Sequence, residues 1–423
     1  MSIAMWPASA LHETTTDWRA RRPDRRLAII LRVMVSGAME RLLKRSHFMA
    51  PGGIRTTSHG QLADGREVTL FTLENAAGMQ VSISPYGGIV TSLIVPDCRG
   101  RRDDVVLGFS NLQAYTSREY HDASPYFGAL IGRYGNRIAG GSFIIDGTRF
   151  ALATNEGGNT LHGGVDGFER RLWEARPFRE GTGVGLSLIL ESADGDQGFP
   201  GRLSIEVRYT LLAENTLDIR YQAVTTKATH VNLTHHGYFN LEGEGEGNVL
   251  DHLLMINADA FLPIDDALLP VGDLRSVTDT PFDFRQPISI GARIETDDRQ
   301  LVQANGYDHN FVVTQGNEDS ETLTLAAVLE APRCGRVMKV YTTEPGIQLY
   351  SGNSLDGSLI GKSGNAYSRY AGVALETQHF PDSPHHPSFP STLLKPGERY
   401  TSNTQYQFST RADLGLAGVS ERA

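Results

Sequence analysis

Alternation of apolar and polar residues recurs along this chain from residue 66 onward, and it limits the possible folds more than any other feature. It is clearest in four segments: Val81-Ser-Ile-Ser84, Ser204–Leu211, Thr216–Ala223 and Thr322-Leu-Thr-Leu325. Neighbouring side chains on a β-strand point to opposite faces of the sheet, so a period of two predicts strands with one buried face. Ala213-Glu-Asn215 separates two of these segments and predicts a hairpin.

Turn-forming residues stand at the breaks between the alternating segments. Gly87-Gly88, Asp146-Gly147 and Glu156-Gly-Gly-Asn159 are examples, and the chain has 45 glycines in 423 residues. Glycine, asparagine and aspartate tolerate the backbone conformations that tight turns need. Because long helical periodicity is scarce, the pattern predicts an all-β fold, a large antiparallel β-sandwich. With no internal linker in the sequence, we expect a single domain over residues 54–415, followed by a tail, 416–423.

Residues 1–53 show no such alternation, and we expect them to be a poorly ordered extension or the result of a misassigned start. A basic stretch, Arg19–Arg26, precedes the apolar Leu27–Leu31, which leaves a cleaved export signal as an alternative. Arg32 interrupts the apolar stretch, and no run approaches the ~20 residues of a membrane span. Met34, Met39 and Met49 are each a possible true start.

Charge and cysteine content restrict the partners and the compartment. The net charge is −10, which provides no basic surface for nucleic acid. The chain has two cysteines, Cys98 and Cys334, which lie far apart in the sequence and have no metal-type or redox-type partner nearby. So few thiols in so long a chain are typical of a reducing compartment. We therefore expect a cytoplasmic protein with a small-molecule substrate, no nucleic-acid or membrane partner, and a monomeric or weakly dimeric state.

One segment, Val231-Asn-Leu-Thr-His-His-Gly-Tyr-Phe-Asn-Leu241, combines titratable, aromatic and amide side chains within eleven residues. It follows a strand pattern and then breaks the alternation. Two adjacent histidines, His235 and His236, lie at its centre. Because neighbours on a strand point to opposite faces, only one of the two is expected to line a given pocket. This mixture of side chains suits a sugar site.

Four further motifs accompany this segment in the same chain: Gly132-Arg-Tyr-Gly-Asn-Arg-Ile138, Asn159-Thr-Leu-His-Gly-Gly164, Asp308-His-Asn-Phe311 and Leu375-Glu-Thr-Gln-His-Phe-Pro-Asp382. Together, and in this order, they resemble the galactose mutarotase (aldose 1-epimerase) family over about residues 56–412. The resemblance implies the extended β-sandwich of that family. It also implies interconversion of the α and β anomers of free aldohexoses such as galactose and glucose, without a cofactor or a metal ion.

Anomer interconversion requires one acid and one base. The ring oxygen gains a proton while the anomeric hydroxyl loses one, and the opened aldehyde can close on either face. The resemblance implies that His236 is the acid and Glu376 the base. Spacing alone favours plainer interpretations, a core histidine bonded to backbone groups and a strand-end glutamate facing water.

The resemblance also implies a set of supporting residues. His162, in a glycine-rich turn, is expected to hold or protonate the sugar near its ring oxygen. Arg137 and Asp308 are expected to bind sugar hydroxyls through charge-assisted hydrogen bonds, which are stronger than neutral ones. Further contacts are expected from a second set: Asn136, Gln348 and Tyr238.

Several other interpretations remain open on the sequence. A glycoside hydrolase could use Asp308 and Glu376 as its two carboxylates, and a non-catalytic sugar-binding protein could use the same pocket. A metal site at His379, His385 and His386 is disfavoured, because the intervening prolines give no common face to bring them together. The segment 356–363 is similar to a phosphate-binding loop, but its glycine spacing is one residue short, which indicates a turn.

Overall fold

Strands make up most of the regular structure in the computed structural model, which describes residues 52–315 and 322–413. The expected N-terminal extension lies outside the described residues, apart from Gly52 and Gly53. The expected tail, 416–423, lies outside them as well. All of the described residues belong to one compact unit. No helix in these two ranges is long and apolar enough to cross a bilayer.

The strands of the first half of the chain differ in length. In chain order they are β1 (Gly53–Gln61), β2 (Glu67–Glu74), β3 (Gln80–Ser84), β4 (Ile89–Pro96), β5 (Arg102–Asp104), β6 (Ala129–Ile131), β7 (Arg137–Ile138), β8 (Ser142–Ile145), β9 (Thr148–Ala151), β10 (Thr160–Leu161), β11 (Glu174–Glu180), β12 (Gly183–Ser192), β13 (Leu203–Leu212) and β14 (Thr216–Thr225).

The second half continues in the same way. Its strands are β15 (Thr229–His230), β16 (Thr234–His236), β17 (Tyr238–Phe239), β18 (Leu253–Ile256), β19 (Ala260–Phe261), β20 (Arg275–Ser276), β21 (Ile288–Ser289), β22 (Asp308–Val312), β23 (Thr324–Glu330), β24 (Arg336–Thr342), β25 (Gly346–Tyr350), β26 (Val373–Gln378), β27 (Leu393–Leu394) and β28 (Tyr400–Thr410). The α-helices are α1 (Leu112–Tyr115), α2 (Arg118–Ala123) and α3 (Arg299–Ala304), and 3₁₀ turns occur at Ala139–Gly141, Phe168–Arg170, Asp196–Gly198, Ile290–Ala292 and Ser383–His385.

Three sheets carry the architecture. One has five strands in the order β1-β2-β3-β4-β5, the largest has nine in the order β11-β12-β13-β14-β28-β24-β23-β18-β21, and the third has six in the order β17-β26-β25-β22-β19-β20. Every strand pairing in the three sheets is antiparallel. The predicted all-β antiparallel fold is therefore confirmed.

The alternating segments form strands with one buried face, as their period of two predicted. Along β13, buried and partly exposed residues alternate from Leu203 to Val207, and β13 pairs with β14 as a hairpin. Asn215 closes this hairpin with a φ of 54°, a conformation that asparagine adopts more readily than most residues. One boundary differs, since the strand expected at residues 322–325 begins at Thr324 and runs to Glu330.

A continuous apolar core joins the three sheets. Apolar side chains from all three belong to it, including Leu73 of β2, Ile219 of β14 and Leu375 of β26. Polar contacts also connect the layers, because the Tyr406 hydroxyl of β28 donates to the Leu375 carbonyl at 3.3 Å. The nine-stranded sheet thus packs behind the six-stranded sheet and fixes the position of β26.

The segment 231–241 links several parts of the fold through very short strands. β16 pairs with β6, whereas β17 pairs with β26 at the edge of the six-stranded sheet. Every residue from Val231 to Leu241 is buried. The break in alternation marks the point where the chain passes from one pairing partner to the next, and this brings His236 next to β26.

Candidate active site

A cavity of about 240 Å³ opens beside the six-stranded sheet. The structure brings seven of the eight predicted residues to its wall: Asn136, Arg137, His162, His236, Tyr238, Asp308 and Glu376. The eighth, Gln348, is not part of the wall. Its Nε2 donates to Asp308 Oδ1 at 2.7 Å, so this amide supports Asp308 from behind.

Strand register accounts for the grouping on the sheet. Gln348 of β25 lies opposite Glu376 of β26, and Tyr238 of β17 lies opposite Ala374, two residues before Glu376. Residues two apart on a strand share a face, and directly paired residues on neighbouring strands also share one. Asp308 joins the same face through its pairing with Tyr350. The sheet therefore presents carboxylate, amide and aromatic groups on one side.

His236 reaches this face from β16 and is held by aromatic rings. Its ring stacks on Tyr238 at a centroid distance of 5.1 Å and packs against Tyr126 at 5.7 Å and His162 at 5.3 Å. Its Nε2 lies 3.6 Å from Glu376 Oε1. His235 does not line the cavity, because its ring points to the other side, near Tyr209 of the nine-stranded sheet.

His162 has a fixed tautomer. It follows β10 with a φ of 51°, and its Nδ1 accepts the backbone N–H of Asn136 at 3.1 Å. A neutral imidazole that accepts at Nδ1 carries its proton on Nε2. Burial, assisted by the nearby His236 and Arg137, lowers the pKa of His162 well below its usual value. His162 is therefore a neutral donor through Nε2.

The turn after His162 leaves no room for another side chain. Gly163 has a φ of 88°, and a Cβ placed on it would lie 2.0 Å from the Gly132 carbonyl oxygen. Glycine satisfies both the positive φ and the close approach of two backbones. The Asn159-Thr-Leu-His-Gly-Gly164 motif is thereby packed against the Gly132–Ile138 motif, and this contact positions His162 and Arg137 together.

Arg137 is buried, hydrogen-bonded to one carboxylate and close to a second. Its Nε and Nη2 donate to the two oxygens of Glu156, each at 2.7 Å, and its Nη1 lies 3.9 Å from Asp308 Oδ2. Burial raises the pKa of the Asp308 carboxyl, while Arg137 and the amide of Gln348 oppose that rise. The cavity therefore contains one guanidinium facing several carboxyl groups.

Burial shifts the pKa values of the central pair, His236 and Glu376, in opposite directions. Burial lowers the pKa of His236 to about 3. Burial and the neighbouring Asp308 raise the pKa of Glu376 well above its usual value, and Arg137 only partly opposes this. Burial thus favours the neutral form of both side chains. The expectation that His236 is the acid requires a proton on its imidazole when the ring opens.

The side chains at the cavity floor do not form a good metal site. Ligand atoms of His162, His236 and Glu376 lie within 4.8 Å of one another, and this trio is the one such group found among the described residues. However, Nδ1 of His162 accepts a backbone N–H, so Nε2 holds the proton and has no free lone pair. Two ligands then remain, fewer than the three or more that catalytic metal sites use.

The later histidines pair with two different carboxylates. His379 Nδ1 lies 2.5 Å from Glu344 Oε2, whereas His385 Nδ1 lies 2.6 Å from Asp382 Oδ1. His386 Nε2 lies 3.4 Å from Asp382 Oδ2, and its ring stacks on Phe389 at 4.6 Å. The histidines therefore contribute to the packing around the strand ends. Segment 356–363 is irregular with several turns, and its first residues form part of the cavity rim.

Glu156 and Tyr126 are among the cavity residues that were not predicted from the sequence. Glu156 was interpreted only as part of a turn, and Tyr126 was not considered. Tyr126 has a φ of 58° and lies 4.7 Å from the ring of His162. Positive φ is uncommon for a tyrosine, and single-sequence patterns do not reveal it.

Comparisons with known proteins find one family over most of the chain. The model of the aldose 1-epimerase family matches residues 69–407. The galactose mutarotase of Bos taurus is 45% identical over 331 residues, 78% of this chain and 91% of the bovine one. The aldose 1-epimerase of Escherichia coli (strain K12) is 39% identical over 347 residues, 82% of this chain and 96% of the bacterial one.

Solved structures show the same fold. The galactose 1-epimerase from Lactobacillus acidophilus superposes with a TM-score of 0.73 at 28% identity, covering 85% of this chain and 99% of that one. The GalM/aldose epimerase homologue from C. elegans gives 0.71 at 29%, covering 81% and 99%. The antiparallel β-sandwich and these relatives define a class of sugar-converting enzymes. Within that class, this chain belongs to the aldose 1-epimerase family.

Proposed function

We propose that the chain interconverts the α and β anomers of free aldohexoses such as galactose and glucose, with His236 and Glu376 as the acid and the base. The enzyme is an isomerase, in agreement with its curated relatives. The observation that carries this assignment of roles is the approach of His236 Nε2 to Glu376 Oε1, 3.6 Å, at the floor of one cavity. The two sugar oxygens that exchange protons are bonded to the same carbon, so an acid and a base this close can reach both.

The reaction balances within the pair. Ionised Glu376 accepts the proton of the anomeric hydroxyl, while protonated His236 donates from Nε2 to the ring oxygen, and the bond between the anomeric carbon and the ring oxygen breaks. The product is the open aldehyde, with neutral His236 and protonated Glu376. Rotation about the bond to the next carbon exposes the other face, and the reverse transfers close the ring.

Sugar bound in the cavity favours the reactive form, in which Glu376 is ionised and His236 is protonated. Hydrogen bonds from sugar hydroxyls to the Glu376 carboxylate stabilise its charged form and lower its pKa. The proton then moves to His236, 3.6 Å away. Because two closely coupled groups titrate together, the pH profile reports on the pair rather than on either residue.

The remaining residues hold the sugar. Neutral His162 donates from Nε2, Asp308 accepts from hydroxyls, and Arg137 donates from Nη1, the part of its guanidinium that Glu156 does not occupy. Tyr238 presents its ring beside His236, and the Asn136 side chain accepts the Arg137 backbone N–H at 2.9 Å. In this arrangement Gln348 supports Asp308.

Polarimetry tests the proposed reaction. Purified protein is expected to accelerate the drift of optical rotation of freshly dissolved α-D-galactose and α-D-glucose to the same end point as the uncatalysed drift. A non-catalytic sugar-binding protein would bind the sugar in calorimetry and leave the drift unchanged. A glycoside hydrolase would release alcohol from methyl galactoside, on which an epimerase cannot act because its anomeric oxygen carries no proton.

Replacing Asp308 by asparagine is expected to weaken substrate binding with little change in kcat. A hydrogen bond to a charged group is worth about 1.5–3 kcal/mol, so we expect KM to rise about tenfold or more. The asparagine side chain keeps the size of the aspartate and one acceptor for Gln348. The measurement is the dependence of initial rate on galactose concentration, made at the plateau of the pH profile.

The matched control for this variant is Asp122→Asn, which removes an exposed carboxylate that pairs with Arg118 on α2. An unchanged KM in Asp308→Asn would contradict the hydroxyl-binding role. A KM that rises equally in the control would assign the effect to net charge.

We also propose a setting for the enzyme. The low cysteine content suits the cytoplasm, and the cavity is complete within one chain, which is compatible with a monomer or a weak homodimer. The net charge of −10 supports the absence of a nucleic-acid partner. We place the catalytic domain at residues 54–415, with β1 beginning at Gly53. Size-exclusion chromatography with light scattering tests the assembly state.

A further inference from the structure

The Glu156 carboxylate belongs to the wall of the cavity but has no part in the proton transfers above. It lies in a tight turn that is closed by the Asn159 N–H, which donates to the Glu156 carbonyl at 2.7 Å. Its side chain is 34% exposed, in contrast to 8% for Arg137. Glu156 is therefore at the mouth of the cavity, and Arg137 lies deeper.

The contact between these two residues uses one edge of the guanidinium completely. Arg137 Nε and Nη2 donate to Glu156 Oε2 and Oε1, both at 2.7 Å. Such two-point pairs fix orientation as well as adding energy. The other end of the guanidinium, which includes Nη1, remains directed towards Asp308 and the sugar. With the Nε–Nη2 edge occupied by Glu156, that edge is not available to Asp308 or Glu376.

The charge of Arg137 matters to the reaction because of what surrounds Glu376. The titratable and charged groups that face Glu376 from neighbouring elements are His236 of β16, His162 of the turn after β10, Asp308 of β22, Arg137 of β7, Tyr238 of β17, Tyr350 of β25 and Tyr406 of β28. Arg137 is the one permanent cation in this set. A guanidinium that moves closer to Glu376 makes that carboxylate a weaker base.

We infer that Glu156 is a positioning residue of this enzyme, which holds Arg137 in its substrate-binding orientation and limits the pull of its charge on the catalytic carboxylate. The inference rests on the proposed function, since it acts through Arg137 on Glu376. Glu156 does not touch the reacting atoms in the proposed reaction. Its effect is on the proton affinity of Glu376 and on the direction of Arg137 Nη1.

The test is the pH profile of kcat/KM for Glu156→Gln, which keeps the shape of the side chain and removes its charge. We expect both limbs of the profile, the acid limb included, to move down by roughly half a unit to one unit, because losing one negative charge near the coupled His236–Glu376 pair lowers the pKa of both of its protonation steps. KM is expected to rise several-fold, because Arg137 is less well oriented. Glu156→Asp retains the charge and is expected to return the acid limb towards that of the wild type.

The matched control is Glu174→Gln. Glu174 also pairs with an arginine, since Arg176 Nε and Nη2 both lie 2.7 Å from Glu174 Oε1, but both side chains are largely exposed and lie outside the cavity. This control is expected to reproduce the wild-type profile. An acid limb and KM identical to the wild type in Glu156→Gln would overturn the inference. A loss that is equal at every pH and accompanied by a lower melting temperature would also overturn it, since it would indicate a scaffold role.

The test distinguishes failure of the positioning role of Glu156 from failure of the proposed function. If the wild-type protein does not accelerate anomer exchange, the proposed function fails, and the inference about Glu156 fails with it. If the wild type is active and Glu156→Gln has the same profile, only the positioning role is lost.

Discussion

Glu376→Gln is expected to lower kcat by about 10²–10⁴-fold, the usual contribution of a general acid–base group. The amide has almost the same shape as the carboxyl but cannot accept the proton of the anomeric hydroxyl. Burial raises the pKa of Glu376 and so favours its neutral form, for which glutamine is a close electrostatic match. The melting temperature is therefore expected to stay the same or rise.

The measurement is the rate of mutarotation of α-D-galactose at several enzyme concentrations, with the uncatalysed drift subtracted. Glu174→Gln is the control, since it makes the same chemical change at an exposed position on β11. A folded Glu376→Gln protein with near-normal kcat would refute the role of Glu376 as base. Loss of activity together with loss of structure would leave the substitution uninformative, and Glu376→Asp, which shortens the carboxylate but keeps its charge, would then decide.

His236→Asn is expected to have an effect of similar size, about 10²–10⁴-fold on kcat. Asparagine can still donate a hydrogen bond near the ring oxygen, but it cannot transfer a proton. It also lacks the ring that stacks on Tyr238, so a modest fall in stability accompanies the loss of activity. Substrate binding is expected to change much less than turnover, because Asp308 and Arg137 remain in place.

His121→Asn is the matched control for this variant. His121 lies on α2 and is not part of the cavity wall. Rates of anomer exchange for the two variants and the wild type, with calorimetric binding of galactose, separate turnover from affinity. If His236→Asn turned over normally, the acid would have to be another group, and His162 would be the first to examine.

The single and double variants add a further constraint. Two groups that act in the same step do not contribute independently, so removing both costs little more than removing one. We expect the His236→Asn, Glu376→Gln double variant to resemble the slower single variant. Additive losses would indicate that the two residues act in separate steps.

The sequence predicted the fold well, because period two is a direct consequence of strand geometry. The strands at residues 204–211 and 216–223 and the turn between them appear in the structure as β13, β14 and their hairpin. The strand expected at 322–325 was misplaced at both ends. Its alternation begins before pairing with β24 does, and register depends on the partner strand.

Most residues of the candidate site could be predicted from the sequence, but the contacts between them could not. Motifs identified His236 and Glu376 as partners, whereas the side of Asp308 on which Gln348 lies depends on the register of β22 and β25. The role of Glu156 was not predicted, because a Glu-Gly-Gly-Asn sequence indicates a turn but does not show which arginine the carboxylate contacts. The pKa shifts of His236 and Glu376 follow from burial, which a sequence does not specify.

Exchange spectroscopy by NMR on galactose at anomeric equilibrium is the most direct test of the central claim, that His236 and Glu376 open and close the sugar ring. We expect exchange cross-peaks between the α and β anomeric protons with the wild-type protein. We expect none with Glu376→Gln on the same timescale and none for methyl galactoside with any variant. Galactose that binds the wild-type protein without exchange, or exchange that persists in Glu376→Gln, would contradict the claim.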